Sequence, residues 1–479
     1  MKSADRRAAR GDGRPLSRVL ARGGRGPLAA AMSRREALCC GAALMAAWQG
    51  LMLPLQAQAA ESSGASAAAD DPVARWRNPC RRPLPDDLTR HDAVLAAFEG
   101  LRPERVRDVH SHLLGTGDSG SGCRVHPSTT QWWRPVEVLR RAAILDAACV
   151  PSQPVEDIDA RYVAHLHGLT QDFPAGMRWW LFAFDDAVDD EGRPRPDWST
   201  FHVPDAYARS VAQAPANTGR FEWVASVHPY REDALARLQQ ALATGARAVK
   251  WLPSAMNIDP ASPRCRPFYD VLARAKVPLI IHCGEERAAP GARREALVNP
   301  LLVRVPLSHG VPVIVAHAAS LGEADDTDRR SAPSRPAFEL FARVMDEHRD
   351  HVDPATGAPL LMADLSAVFQ RNRRPEVWQA VLARQDWHDR LLNGSDYPLP
   401  GLMPLFAPEQ IAQAGLLPAG LVPVLHRLRA YNPLLFDFVL KRSLRRGEIR
   451  LPAAVFEAEA LSRRTRASAS PRPASSSTS

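Results

Sequence analysis

Val106–Gly115 reads VRDVHSHLLG, an apolar-alternating strand that runs straight into Asp108, His110 and His112. Side chains two apart on a strand point the same way, so His110 and His112 share a face and form a pincer for one metal ion. Two histidines on a solvated strand would fit the spacing equally well. The metal reading gains from four later strand-like segments that also end in a metal-capable side chain, at Lys250, His282, His317 and Asp396.

Downstream, near-continuous apolar runs alternate with helical periodicity. The strand candidates after the first are Met177–Val188, Phe221–Pro229, Ala246–Pro253, Val277–Glu286, Val311–Ser320, Leu360–Val368 and Arg390–Pro398. Between them helices are expected over Arg231–Thr244, Phe268–Ala275, Pro300–Ser308, Ala337–Glu347 and Pro375–Arg384. Val/Ile/Leu runs without alternation are what parallel strands buried on both faces require. With the first strand the count reaches eight, the polar residues fall at the C-terminal ends of many strands, and no G-x-G-x-x-G follows an early one. The fold expected is therefore an α/β (β/α)₈ TIM barrel. The long gap after His112 holds an inserted helical cap, with helices over Thr129–Cys149 and Val155–Leu169, and C-terminal helices follow over Gly420–Leu428 and Pro433–Leu444. Trp132, Val136, Leu139, Ala142 and Ile144 fall near one face of the first cap helix, and Trp132, Trp133, Trp179 and Trp180 read as packing residues. The glycine- and serine-rich loop after His112 is placed to line the site.

The chain has 479 residues, 45% hydrophobic and 24% charged, with 42 prolines that mark many loops and element ends. The net charge of +8 comes largely from arginines near the two ends, so it does not imply nucleic-acid binding. Residues 1–31 read as an over-long start or an extended n-region. Residues 32–59 carry Ser33-Arg34-Arg35, an apolar run and Ala57-Gln58-Ala59, the layout of a cleaved signal peptide of the twin-arginine (Tat) type. The run is interrupted by Gln49, Gly50 and Pro54 and falls short of the roughly 20 apolar residues a stable membrane span needs. The expected location is the periplasm. Residues 60–88 read as a linker, 89–460 as the barrel domain and 461–479 as a disordered tail. Cys80, Cys123, Cys149, Cys265 and Cys283 would remain after cleavage, without C-x-x-C spacing; one disulfide is compatible with export, and the sequence does not name the pair.

On a barrel, His110, His112, Lys250, His282, His317 and Asp396 converge at one mouth. Imidazole plus carboxylate with an open position is the donor set of a catalytic divalent metal, zinc first and manganese or iron as alternatives, as one or two ions. The chain holds four lysines against 57 arginines, so a lysine at Lys250 suggests amine chemistry: a carbamate bridging two ions, an ammonium for a substrate anion, or a snorkelling side chain. Cys283 points away from His282 and reads as buried. His228, Glu285 and Glu286 are candidate substrate-binding groups, as are Asp364 and Ser366 at the end of the seventh strand; each could equally be a satisfied group that supports the ligands.

These motifs, DVHSH, KWLP, HCGEE, VAHAAS and GSDYP in that order, resemble the amidohydrolase superfamily, specifically its amidohydrolase 2 branch, over roughly Arg105–Leu444. The resemblance implies the barrel, His110, His112, His282 and His317 as ligands, and Asp396 as ligand and general base. It implies a metal-dependent hydrolase acting on a small-molecule amide, ester or lactone, with decarboxylation as the alternative reaction of the same barrel. The residues alone suggest that a metal-activated water attacks a carbonyl, Asp396 shuttles the proton, and His317 completes a second metal site or steadies the oxyanion. Substrate and oligomeric state are not written in the sequence. Replacing both Arg34 and Arg35 by Lys is expected to strand the protein inside the cell; equal periplasmic yield of that double variant in fractionated cells would overturn the twin-arginine reading.

Overall fold

In a computed structural model, residues 77–150, 156–289, 291–292, 294–329 and 333–466 are described. Eight short strands carry the architecture: β1 (Arg107–His112), β2 (Arg178–Phe182), β3 (Phe221–Val224), β4 (Val249–Trp251), β5 (Leu279–His282), β6 (Val313–Ala316), β7 (Leu361–Asp364) and β8 (Leu391–Leu392). They form a three-stranded sheet, β1-β2-β3, and a five-stranded sheet, β4 to β8 in sequence order, with every pairing parallel. Both gaps between the sheets are bridged. Ala225 pairs with Val249, and the N–H of Lys250 donates to Ala225 at 2.8 Å. Across the other gap Ser111 pairs with Tyr397, and the N–H groups of Val109 and His112 donate to Asn393 and Tyr397, each at 2.9 Å. The strands thus follow one another around a (β/α)₈ barrel.

The pleat explains the two cores. Val109, Trp180, Phe182, Val224, Ala248, Ile280, Ile314, Met362 and Leu392 pack together as the barrel interior. Their neighbours on the same strands, such as Leu279, Ile281, Val313, Val315 and Leu361, face the helices in a second, larger cluster. Most helices fall where the sequence places them, the one over Asp205–Gln213 being an addition; α1 (Pro135–Ala147) and α2 (Ile158–Thr170) form the insertion after β1. Then come α3 (Asp205–Gln213), α4 (Ala234–Ala243), α5 (Arg266–Ala275), α6 (Arg304–Ser308), α7 (Ala337–Glu347) and α8 (Pro375–Ala383). In α7 the buried residues Leu340, Phe341, Val344 and Met345 form a single stripe at helical spacing. After β8, α9 (Val422–Tyr431) and α10 (Pro433–Ser443) complete the body, and α10 is buried along most of its length.

Four expectations are corrected. The strands are shorter than their apolar runs; β8 keeps only Leu391 and Leu392, because the chain then leaves the sheet to lay Gly394 against His110, where an added Cβ would meet the His110 Cβ at 2.7 Å. The first cap helix starts at Pro135, and Trp132, Trp133 and Val136 are exposed, Trp132 at 82%, because among the described residues nothing packs over this end of the cap. Trp179 and Trp180 are buried as expected. The end of the expected linker is packed from residue 77: Asn78 and Leu88 are buried, Asp86–Thr89 is helical, and Cys80 is disulfide-bonded to Cys149. The start of the expected tail is helical, over Glu459–Arg466. The signal segment, the rest of the linker and tail, and Val155 lie outside the described residues. Among the described residues, no helix is long and apolar enough to cross a membrane.

The disulfide joins residues 69 apart in sequence, and closing a loop of that size restricts the unfolded chain by about 4 kcal/mol in the chain-entropy account. Reductant is therefore expected to lower the denaturant midpoint clearly; an unchanged midpoint would mean the bond does not form.

Candidate metal centre

The site is built at the C-terminal ends of the strands. His110, His317 and Asp396 are buried, and one ligand atom of each lies within 4.8 Å of the others. His110 Nδ1 donates to the Asp364 carboxylate at 2.9 Å, which leaves Nε2 as the lone-pair nitrogen; that atom is buried and has no hydrogen-bond partner among the described residues. His317 is fixed the same way, with Nδ1 3.1 Å from the Ser366 carbonyl and 2.8 Å from its hydroxyl, so that Nε2 faces Asp396 at 3.9 Å. His112 Nε2 lies 3.0 Å from Asp396 Oδ1, and His110 Nε2 lies 3.5 Å from the same oxygen. His282 completes the group: its ring centroid is 5.2 Å from that of His317, and its buried Nε2 makes no hydrogen bond, with Glu286 3.4 Å away. His110 and His317, each held in one tautomer through Nδ1, and the partnerless Nε2 of His110 and His282, all beside carboxylates, fit a divalent metal.

Local backbone explains how these side chains reach one point. Register between β1 and β2 shifts between Asp108 and Ser111, an irregularity of the kind that re-aims side chains beside active sites. The Asp108 carboxylate accepts the N–H groups of His110 and Ser395, tying the β1 end to the loop after β8. His317 and Asp396 both have left-handed backbones, φ 56° and 59°, which L residues adopt at a cost and which recur at functional sites. Tyr162 of α2 donates its hydroxyl to the His112 carbonyl at 2.5 Å, fastening the cap to the pincer.

A cavity of about 390 Å³ opens over these residues, lined also by Lys250, Glu285, Glu286, Arg141 and Arg373. The glycine-rich loop contributes Leu114, Gly115 and Thr116 to its wall. Lys250 is 2% exposed, its Nζ has no hydrogen-bond partner among the described residues, and it stands 5.2 Å from the Phe182 ring. His228 is not brought to the cavity: it is fully buried, its Nε2 is 2.8 Å from the Met256 carbonyl, and its Nδ1 accepts the Tyr230 N–H. Cys283 is buried, as expected. Asp364, expected either to bind substrate or to be a satisfied group supporting the ligands, takes the second role and orients His110; an acid closing the apolar run LLMAD was the available signal. Arg141 and Arg373 carried no signal, being two arginines among 57. A second group, Asp185, Asp186 and His202, clusters below the cap, where Arg124, Arg231 and Arg237 lie within ion-pair distance of its carboxylates.

Burial favours the neutral form of His110, His282 and His317. Burial pushes His282 down to about 4. Burial, with Lys250 nearby, lowers His110, and burial lowers His317 far below the usual histidine range. Burial works to raise the Asp396 carboxyl, but His317, His112 and His110 outweigh it and hold it well below the carboxylate range. The same burial lowers Lys250, with Asp364, Asp396 and Glu286 opposing.

The sequence matches the family model Amidohydro_2, described as Amidohydrolase, over residues 108–421. Among solved structures, an uncharacterized TIM-barrel protein from Bordetella bronchiseptica is 16% identical, with 65% of this chain and 99% of that chain covered and a TM-score of 0.38. A probable 2-pyrone-4,6-dicarboxylic acid hydrolase from Acinetobacter baumannii is 11% identical over 70% and 99% of the two chains, with a TM-score of 0.37. The 5-carboxyvanillate decarboxylase of Sphingomonas paucimobilis is 11% identical over 70% and 96%, with a TM-score of 0.34. No curated protein matches the chain.

Protons and a metal compete for the same imidazole nitrogens. Because His110, His282 and His317 titrate below the ordinary histidine value of about 6.5, the competition at these three starts at lower pH. Metal content after dialysis is expected to be level from neutral pH to well under that value and to fall as pH approaches the His282 value of about 4. Half-loss of metal near the ordinary histidine value would contradict this electrostatic account.

Proposed function

Because the chain belongs to the amidohydrolase family, we propose that it is an exported metal-dependent hydrolase that cleaves a C–N or C–O bond of an amide, ester or lactone. The observation that carries this reading is the partnerless Nε2 of His110 converging with His317 and Asp396 at the mouth of the barrel. His110, His112, His282, His317 and Asp396 would hold the ion, with zinc the first choice for this nitrogen and oxygen donor set. Such an ion, when bound, lowers the pKa of a coordinated water and polarises a carbonyl.

The chain's own residues do the rest. Asp396, ionised and 3.0 Å from His112, takes the proton of the attacking water and returns it to the leaving nitrogen or oxygen. Asp364 keeps His110 in the ligating tautomer. Lys250 Nζ, buried beside Phe182 without a partner among the described residues, meets negative charge growing on the substrate oxygen or, as a carbamate, adds a ligand. Glu285 and Glu286 border the substrate space. Export is supported by the Cys80–Cys149 bond, since disulfides persist in oxidising compartments.

Asp396→Asn keeps size and an oxygen donor but cannot hold a proton, so turnover is expected to fall by roughly 10²-fold or more with metal largely retained. The rate on a substrate found by screening lactones, esters and amides, measured beside metal content, checks this. Running the reaction in ¹⁸O-water separates the chemistries: hydrolysis places label in the product acid, whereas release of CO₂ without label in the organic product would move the reading to a decarboxylase.

A further inference from the structure

The charges that line the cavity do not balance, and the excess is cationic. Glu285 is held by the Arg287 guanidinium through two contacts of 2.9 Å. Glu286 accepts the N–H groups of Ala288 and Ala289, Arg140 pairs with Glu137 at 2.5 Å, and Asp396 faces the histidines. Two guanidiniums remain. Arg373, on the loop after β7, is only 9% exposed; Nε donates to Ser320 Oγ at 3.0 Å and one terminal nitrogen donates to Asn372 Oδ1 at 2.7 Å. Both acceptors are neutral. Among the described residues no carboxylate lies within 4.0 Å of Arg373, and its other terminal nitrogen has no acceptor. Burial lowers it to about 10, with Asp396, Glu286 and Glu285 opposing from beyond ion-pair distance, so it remains a cation at neutral pH. Arg141, on cap helix α1, has a buried Nε without a partner and no ion pair among the described residues.

A guanidinium taken out of water with no carboxylate in contact is costly, and a planar fork with free N–H groups matches a carboxylate. The wall around it is apolar, formed by Leu114, Ile144, Phe184, Phe201, Leu402 and Leu405. We propose that the substrate is an organic acid with an apolar body, its carboxylate anchored by Arg373 and contacted from the cap by Arg141. A phosphate ester suits the site less well, because a dianion would need more donors than these two side chains offer among apolar neighbours. The proposal rests on this cavity being the active site, and it concerns which molecules enter, not which bond is cut.

Its test is binding without turnover. Isothermal titration calorimetry on the metal-loaded mature chain compares benzoate with benzamide, hexanoate with hexanamide, and adds phenyl phosphate. At least one acid is expected to bind roughly tenfold or more tighter than its amide, the scale of a charged hydrogen-bonded contact. Arg373→Met should erase that preference and leave amide binding unchanged; Arg141→Met should weaken it. If Arg373→Met does not fold, Arg373→Lys decides: the charge remains but the fork is lost, so acid binding should drop while amide binding stays. No acid tighter than its amide, a preference that survives at Arg373→Met, or phenyl phosphate binding best would each overturn the proposal. A preference that disappears on removing the metal but persists in the Arg373 variants would place the carboxylate on the ion and overturn it too. A failure of the hydrolase reading would show instead as absent turnover with the acid preference intact.

Discussion

One buried carboxylate holds the mouth of this barrel together. Asp364 is fully shielded from solvent and receives the His110 Nδ1–H at 2.9 Å, the His317 N–H at 3.1 Å, the Ser366 N–H at 3.1 Å and the Ser366 hydroxyl. Burial alone would protonate it, but His110 and His317 hold it far below the usual carboxylate range. A charge in such a place persists only when its lone pairs are filled, and here each filled lone pair also fixes part of the site. The ends of β1, β6 and β7 meet on one residue, so the positions of two imidazoles are set together rather than separately.

Much of the constellation was legible because it depends on order along the chain. An apolar strand that ends in a histidine, lysine or aspartate states its chemistry whatever the angle of its exit, and His110, His112, Lys250, His282, His317 and Asp396 all line the cavity. What did not show was set by backbone that departs from the strand. His317 and Asp396 reach the centre through left-handed residues that no pattern of apolar side chains encodes. His228 illustrates the opposite error: it closes a strand-like run, yet its ring is consumed by the Met256 carbonyl and the Tyr230 N–H. Periodicity likewise finds a cap helix without saying which part of it has a neighbour, and so Trp132 and Trp133 face solvent.

The cap is joined to the barrel more firmly than a loop insertion need be. Asp159 of α2 accepts the N–H groups of Thr116 and Gly117 and the Ser121 hydroxyl, giving the glycine-rich loop its shape from outside. One turn along the same helix, Tyr162 holds the His112 carbonyl. At its other end the cap is anchored through Cys149 to Cys80 and through Asp146 to the Asn78 N–H at 2.8 Å. The helix that carries Arg141 and the helix that steadies the pincer are thus each fastened to the body by bonds of their own.

The seam between the first and last strands has a consequence for the order of assembly. Asp396 stands on that seam, its own N–H donating to the His110 carbonyl at 2.7 Å, so the two halves of the metal centre come from opposite ends of the folded body's sequence. During synthesis β1 is made early and must remain unpaired on one edge until the residues after β8 arrive, and contacts of such long separation form late. The centre can exist only once the circle is closed. A site able to take an ion would thus mark a finished chain, distinguishing it from any partly built precursor.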